Sequence, residues 1–110
     1  MVQSITAKQA SELISKGAIE VIDVREPSEW SATGHIAGAR LIPLQKLQAN
    51  PKGTLPSDGV LFVCAAGVRS QTAARLASQY GVARIYSLMG GTRGWVNAGL
   101  ALVHDVAVSA

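Results

Sequence analysis

The sequence predicts an α/β domain on a mainly parallel sheet, and three patterns predict it. Short β-branched or apolar runs alternate with helical segments along the chain. The run VLFV, Val60 to Val63, is continuously apolar, which suits a central parallel strand buried on both faces. Beyond it, Ala73, Leu76, Ala77 and Tyr80 fall at i, i+3, i+4 and i+7, one face of a helix.

The elements follow in chain order. In TAKQASELISKG, Thr6 and Gln9 have capping-box spacing. Ala10, Leu13 and Ile14 continue at helical spacing, and Gly17 stands where a helix-ending glycine belongs. AIEVIDV, Ala18 to Val24, is short and β-branched and predicts a strand. The following EPSEWSATGHIAGA, with Pro27, Gly34 and Gly38, is expected to be a loop in which Ser28 caps one helical turn. ARLIPL predicts a second strand that stops near Pro43. LQKLQAN predicts a short helix ended by Pro51, and PKGTLPSDG is turn chemistry. After the VLFV strand and its helix, Gly81 ends the helix. ARIYSLM predicts another strand, and GGTRGWVNAG a Gly-Gly turn into a short helix. The stretch from Leu100 to Ala110 carries no clear pattern.

Composition narrows the function. At 110 residues, 48% of them hydrophobic, the chain is expected to be one domain with a real core. The net charge is +3, but the ten basic residues are scattered and only five aromatics accompany them. That argues against a nucleic-acid surface. A mild positive balance instead helps steer a small anion to a site. The N-terminal MVQSITAKQ lacks the apolar core of a signal peptide, and no apolar run approaches the roughly 20 residues that span a bilayer. A soluble, cytoplasmic protein with no membrane partner is expected. One cysteine and two distant histidines form no recognisable metal spacing, and no dinucleotide or phosphate-loop fingerprint is present, so no metal or cofactor is expected.

The single cysteine stands in LFVCAAGVRSQTAARLA, at the carboxyl end of the strand and before the helix. Ligands of open parallel sheets sit beyond that end of the strands. If the helix begins near Ser70, its first N–H groups lack internal partners and favour an anion there. The loop Ala65, Ala66, Gly67, Val68 and Arg69 is compact enough to aim further N–H groups at one point. A thiolate at Cys64 is stabilised by that arrangement, with Arg69 as the nearby cation. The residues alone leave a second reading open, in which Cys64 is an inert core residue and Gly67 a plain turn.

Three stretches resemble the rhodanese family. VIDVREPSEWSATGHIAGARLIPL is similar to its amino-terminal signature, FVCAAGVRS to its active-site loop, and LMGGTRGWVNAG to its carboxy-terminal signature. They come in the family's order and run from Val21 to Gly99. The resemblance implies a three-layer rhodanese-like fold, with five mainly parallel strands and helices on both faces. It places one rhodanese domain over 1–110, with a core of about 4–100 and a tail of 101–110. It implies a sulfurtransferase that moves sulfane sulfur from a small anionic donor such as thiosulfate to cyanide, a thiol or a protein thiol. Cys64 is then the nucleophile and persulfide site. The backbone from Ala65 to Arg69 is the substrate cradle, and no cofactor is needed. Four residues separate Cys64 from Arg69, where related phosphatases and arsenate reductases have five. The shorter ring suits one sulfur atom better than a tetrahedral phosphate. Many active members carry Arg directly after the cysteine; this chain has Ala65, so thiosulfate loses one cation. A rhodanese-like sulfur-relay or protein-interaction module stands as the alternative.

Other residues invite a role and are expected to be structural. Asp23, Arg25 and Glu26 leave a strand near the presumed site and are expected to tie loops together. His35 is expected to cross-link backbone groups, and His104 to face solvent. Trp30 and Trp95 are expected to fill gaps between short helices and the sheet, and Gly90 and Gly91 to form a tight turn.

Overall fold

The computed structural model of the protein describes residues 2–105. Five parallel strands form one sheet: β1 (Val2–Ile5), β2 (Glu20–Asp23), β3 (Arg40–Leu41), β4 (Asp58–Val63) and β5 (Ala83–Leu88). Their spatial order is β1-β5-β4-β2-β3, with β4 at the centre. Six helices connect them: α1 (Ala7–Ser15), α2 (Pro27–Thr33), α3 (Leu44–Ala49), α4 (Pro51–Thr54), α5 (Arg69–Gln79) and α6 (Gly91–Asn97). Among the described residues no helix is long and apolar enough to cross a membrane.

Strand alternation divides the core in two. Val60, Phe62 and Cys64 pack on one face with Ala73, Ala74 and Ala77 of α5 and Leu47 of α3. Leu61 and Val63 pack on the other with Ala7 and Ala10 of α1 and Trp95 of α6. Every residue from Val60 to Val63 is at most 1% exposed, so both faces of β4 are covered. This is why its sequence reads as an unbroken apolar run. The same period of two turns the Cys64 side chain toward α5. Small alanines on α5 let that helix lie close against the strand.

Several expectations meet their match in the structure. Thr6 caps α1 and forms the capping box with Gln9, and Gly17 follows the cap residue Lys16 at φ +71°. Other elements differ. β1 was not anticipated, because VQSI has an exposed Gln3 and Ser4 at a sheet edge and no apolar alternation. The expected loop after β2 contains α2, and its cap is Glu26 with Pro27 at the first position, not Ser28. Glu29, three residues on, accepts from the Glu26 N–H at 3.1 Å. Pro51 ends α3 but also opens the single turn of α4. Tyr80, which its spacing places on the same helix face as Ala73 and Ala77, is 47% exposed, because the helix ends there before Gly81.

Part of the segment after α6 is pinned. Val103 and His35 exchange two backbone hydrogen bonds, each 2.8 Å. The Trp95 indole N–H donates to the Ala101 carbonyl at 2.9 Å. Residues 106–110 of the expected tail lie outside the described residues.

Candidate active site

Cys64 follows directly on β4 at the carboxyl end of the sheet, and it is 1% exposed. Its Sγ accepts from the Gly67 N–H at 3.1 Å and from the Ser70 N–H at 3.4 Å. The Ser70 hydroxyl oxygen lies 3.5 Å from Sγ and 2.8 Å from the Ser87 hydroxyl on β5. The neutral thiol donates to Ser70; once the thiol is ionised, the Ser70 hydroxyl must donate in return. Ser70 and Ser87 are both buried. Burial pushes the Cys64 pKa up, but the Ser70 hydroxyl and the N–H groups of Ser70, Gly67 and Ala66 outweigh it. The thiol therefore titrates below its ordinary value.

The loop is held from outside by α6. The Thr92 N–H donates to the Cys64 carbonyl at 2.8 Å, and the Arg93 N–H to the Ala65 carbonyl at 3.2 Å. These bonds take up carbonyls and leave the N–H groups of the loop free of α6. Those of Ala65, Val68 and Arg69 have no hydrogen-bond partner among the described residues. Gly67 and Gly91 make this packing possible. Gly67 has φ +98°, and a Cβ there would come 3.1 Å from the Gly90 nitrogen. A Cβ on Gly91, at φ +62°, would come 2.5 Å from the Ala65 carbonyl. The Gly90–Gly91 turn thus serves as the outer wall of the cysteine loop.

The charged residues nearby are paired. Arg69 grips Glu29 of α2 with two bonds, Nη1 to Oε1 at 2.6 Å and Nη2 to Oε2 at 2.8 Å. The bonded Arg69 guanidinium is the main reason that the Glu29 pKa is lowered to about 2. The expected cation is therefore at the loop's end, with its charge already matched. Asp23 and Arg25 form a buried pair, each 1% exposed, with Nη2 to Oδ2 at 2.8 Å. Arg25 also donates to the Thr33 hydroxyl at 2.7 Å and the Gly34 carbonyl at 2.8 Å. These residues tie β2 to α2, and among the described residues they make no hydrogen bond to Cys64, Gly67 or Ser70. Glu26 is exposed and serves α2.

His35 is also structural. Its Nδ1 bonds the Ile36 carbonyl oxygen at 2.9 Å, its Nε2 lies 2.8 Å from Asp105, and its ring stacks on Trp30 at 3.6 Å. His104 is exposed, as expected. Ser70, Ser87 and Glu29 were missed as site residues. Ser70 stands in the loop motif itself, Ser87 is a polar residue inside a strand, and Glu29 sits at capping-box spacing from Glu26.

Comparisons with known proteins agree with this geometry. The family model for the rhodanese-like domain matches residues 6–98. The thiosulfate sulfurtransferase GlpE of Coxiella burnetii is 33% identical over 95 residues, covering 86% of this chain and 88% of the relative. The uncharacterized protein YqhL of Bacillus subtilis is 41% identical over 76 residues, covering 69% of this chain but only 60% of the relative. Among solved structures, a rhodanese-related protein from Thermoplasma volcanium superposes with a TM-score of 0.83 at 36% identity, covering 94% of this chain and 99% of its own. With a five-stranded parallel sheet, helices on both faces and a cysteine loop at its carboxyl end, this chain belongs to the rhodanese-like domain family.

Proposed function

We propose that the protein is a sulfurtransferase that carries sulfane sulfur as a persulfide on Cys64. In the first step the Cys64 thiolate attacks the outer sulfur of a donor such as thiosulfate. The donor's S–S bond breaks, its electron pair leaves with sulfite, and Cys64 holds the terminal sulfur as an anion. In the second step cyanide or a thiolate attacks that terminal sulfur, and the bond's electron pair returns to Cys64. The scheme is ping-pong, with the thiolate form of Cys64, favoured by its lowered pKa, as the nucleophile.

One observation carries this reading: a buried cysteine sulfur accepts two backbone N–H bonds, inside a loop with further unpartnered N–H groups. Such a curl stabilises a thiolate first and a persulfide anion afterwards. The four-residue spacing from Cys64 to Arg69 favours sulfur over phosphoryl transfer. A thiosulfate–cyanide assay tests it by thiocyanate release. Wild type should turn over, and Cys64→Ser should fall to background with its fold intact. Clear residual activity in that variant would sink the scheme.

A second reading, sulfur relay between proteins with little small-molecule turnover, draws support from two observations. Ala65 follows the cysteine where a cation is common, and Arg69 is held by Glu29. A compact dianion therefore meets no unpaired charge on the loop itself. Efficient turnover with thiosulfate would count against the relay. Transfer from a protein persulfide donor, with thiosulfate inert, would favour it.

A further inference from the structure

One cavity adjoins the cysteine loop at Ala65, and a second shares a wall with it. The first, about 330 Å³, is lined by Ala65, Glu29, Thr33, Thr92 and Arg93 among others. The second, about 340 Å³, is lined by Thr33, Thr92, Arg93, Val96 and Leu102 with Asn97. Sharing Thr33, Thr92 and Arg93, they form one groove leading away from the loop. Each half alone reaches the roughly 300–1,000 Å³ typical of organic-ligand pockets. A small inorganic donor would leave most of it empty.

The groove's charged and polar groups differ in what they are free to bind. Glu29 is taken by Arg69, and Arg25, on the same wall, is taken by Asp23. Arg93 forms no ion pair and no side-chain hydrogen bond among the described residues, and it is exposed. Its backbone N–H is bonded to the Ala65 carbonyl, which anchors it beside the loop. Thr92 is only 5% exposed, yet its hydroxyl has no hydrogen-bond partner among the described residues. That oxygen is not sealed from solvent. A cation and a hydroxyl thus stand together at the midpoint, with Val96 and Leu102 forming an apolar end beyond them.

We infer that this groove binds an organic thiol acceptor that carries a carboxylate and an apolar arm. Arg93 and Thr92 hold the carboxylate, Val96 and Leu102 take the arm, and the thiol reaches the sulfur on Cys64. The inference rests on the sulfurtransferase reading above. In the transfer, the acceptor thiolate attacks the outer sulfur of the Cys64 persulfide. The S–S bond breaks toward Cys64, leaving its thiolate and an organic persulfide anion. Charge and electrons balance without an oxidant or reductant. Arg93 acts as a specificity residue, through the charge complementarity between an unpaired guanidinium and a carboxylate.

The test uses N-hexanoylcysteine, its carboxamide and N-acetylcysteine as acceptors, with wild type, Arg93→Ala and Arg93→Lys. Wild type should show a KM for N-hexanoylcysteine about five- to tenfold below that for the carboxamide. Arg93→Ala should bring that ratio to about one, and Arg93→Lys should keep part of it. N-acetylcysteine should bind more weakly than the hexanoyl compound by about threefold or more. Equal KM values in wild type, or a ratio unmoved by Arg93→Ala, would overturn the inference. A second readout does not depend on turnover. Unreactive S-methyl-N-hexanoylcysteine should shift the NMR amide signals of Thr92, Arg93 and Val96 in wild type and not in Arg93→Ala. If no persulfide ever forms but this carboxylate-dependent binding is seen, the groove assignment stands and the sulfurtransferase reading falls. If persulfide forms and the probe does not bind, the reverse holds.

Discussion

The turn after β2 and the turn after β4 leave paired strands at the same end of the sheet, with Asp23 beside Val63 in register. They handle charge in opposite ways. The β2 side carries full charges, of which Asp23, Arg25 and Glu29 are each matched by a partner in contact while Glu26 is exposed. The β4 side carries no charge on residues 64–68 and meets the thiolate with N–H groups and a hydroxyl. One turn is a rigid tie and the other a receptive site. On the function proposed above, a nucleophile that accepts and releases an anionic sulfur is better served by dipoles than by a tight counter-ion. Dipoles fixed by α6 stabilise the anion without capturing it.

If the β2 turn is a structural tie, breaking it should cost stability above all. Asp23→Ala leaves the Arg25 guanidinium buried without its carboxylate. We expect a loss of about 3–5 kcal/mol, read by denaturant unfolding. A loss under about 1 kcal/mol would mean that this pair does not hold the turn.

If dipoles hold the thiolate, removing one should act on the thiol before it acts on the fold. Ser70→Ala should raise the Cys64 pKa, since the Ser70 hydroxyl is the largest of the groups lowering it. At neutral pH less thiolate is then present, and sulfur loading should slow by about tenfold. The ultraviolet absorbance of the thiolate against pH reads this directly. A midpoint that stays put would assign the stabilisation to the backbone alone.

The boundary between the two turns is the Arg69–Glu29 pair, and loosening it should give the smallest effect. Glu29→Gln frees the Arg69 charge, so the KM for thiosulfate should fall by about two- to fivefold. The same variant has a pH signature. Glu29 is held at about 2, against an ordinary 4.5, so its pairing stabilises the fold fully above about pH 4.5. That contribution is lost as pH falls from 4.5 toward 2. The acid limb of the stability curve should flatten between these values in Glu29→Gln. An unchanged limb and an unchanged KM together would show that the pair is idle.

How much of this was legible in the sequence depended on where each signal came from. β4, α5 and the place of Cys64 follow from local pattern, since burial on both faces leaves only apolar residues in VLFV. β1 gave no such pattern, because an edge strand with polar outward residues is defined by its partner β5, far along the chain. α2 was hidden by the glycines after it, although Pro27 and Glu29 are start signals for a helix. The loop's place in the fold was readable, but its wiring was not. The Ser70–Ser87 contact spans 17 residues and the Arg69–Glu29 contact spans 40, and neither leaves a trace in sequence spacing. Arg69 was assigned its charge correctly from sequence, while the partner that takes up that charge became visible only in the fold.

The most direct test is the intact mass of the protein after thiosulfate alone, with no acceptor present. The account predicts one added sulfur atom on wild type, removed by cyanide, and none on Cys64→Ser. An added sulfur that persists in Cys64→Ser would contradict it, because the sulfur would then be carried outside the loop on which every step depends.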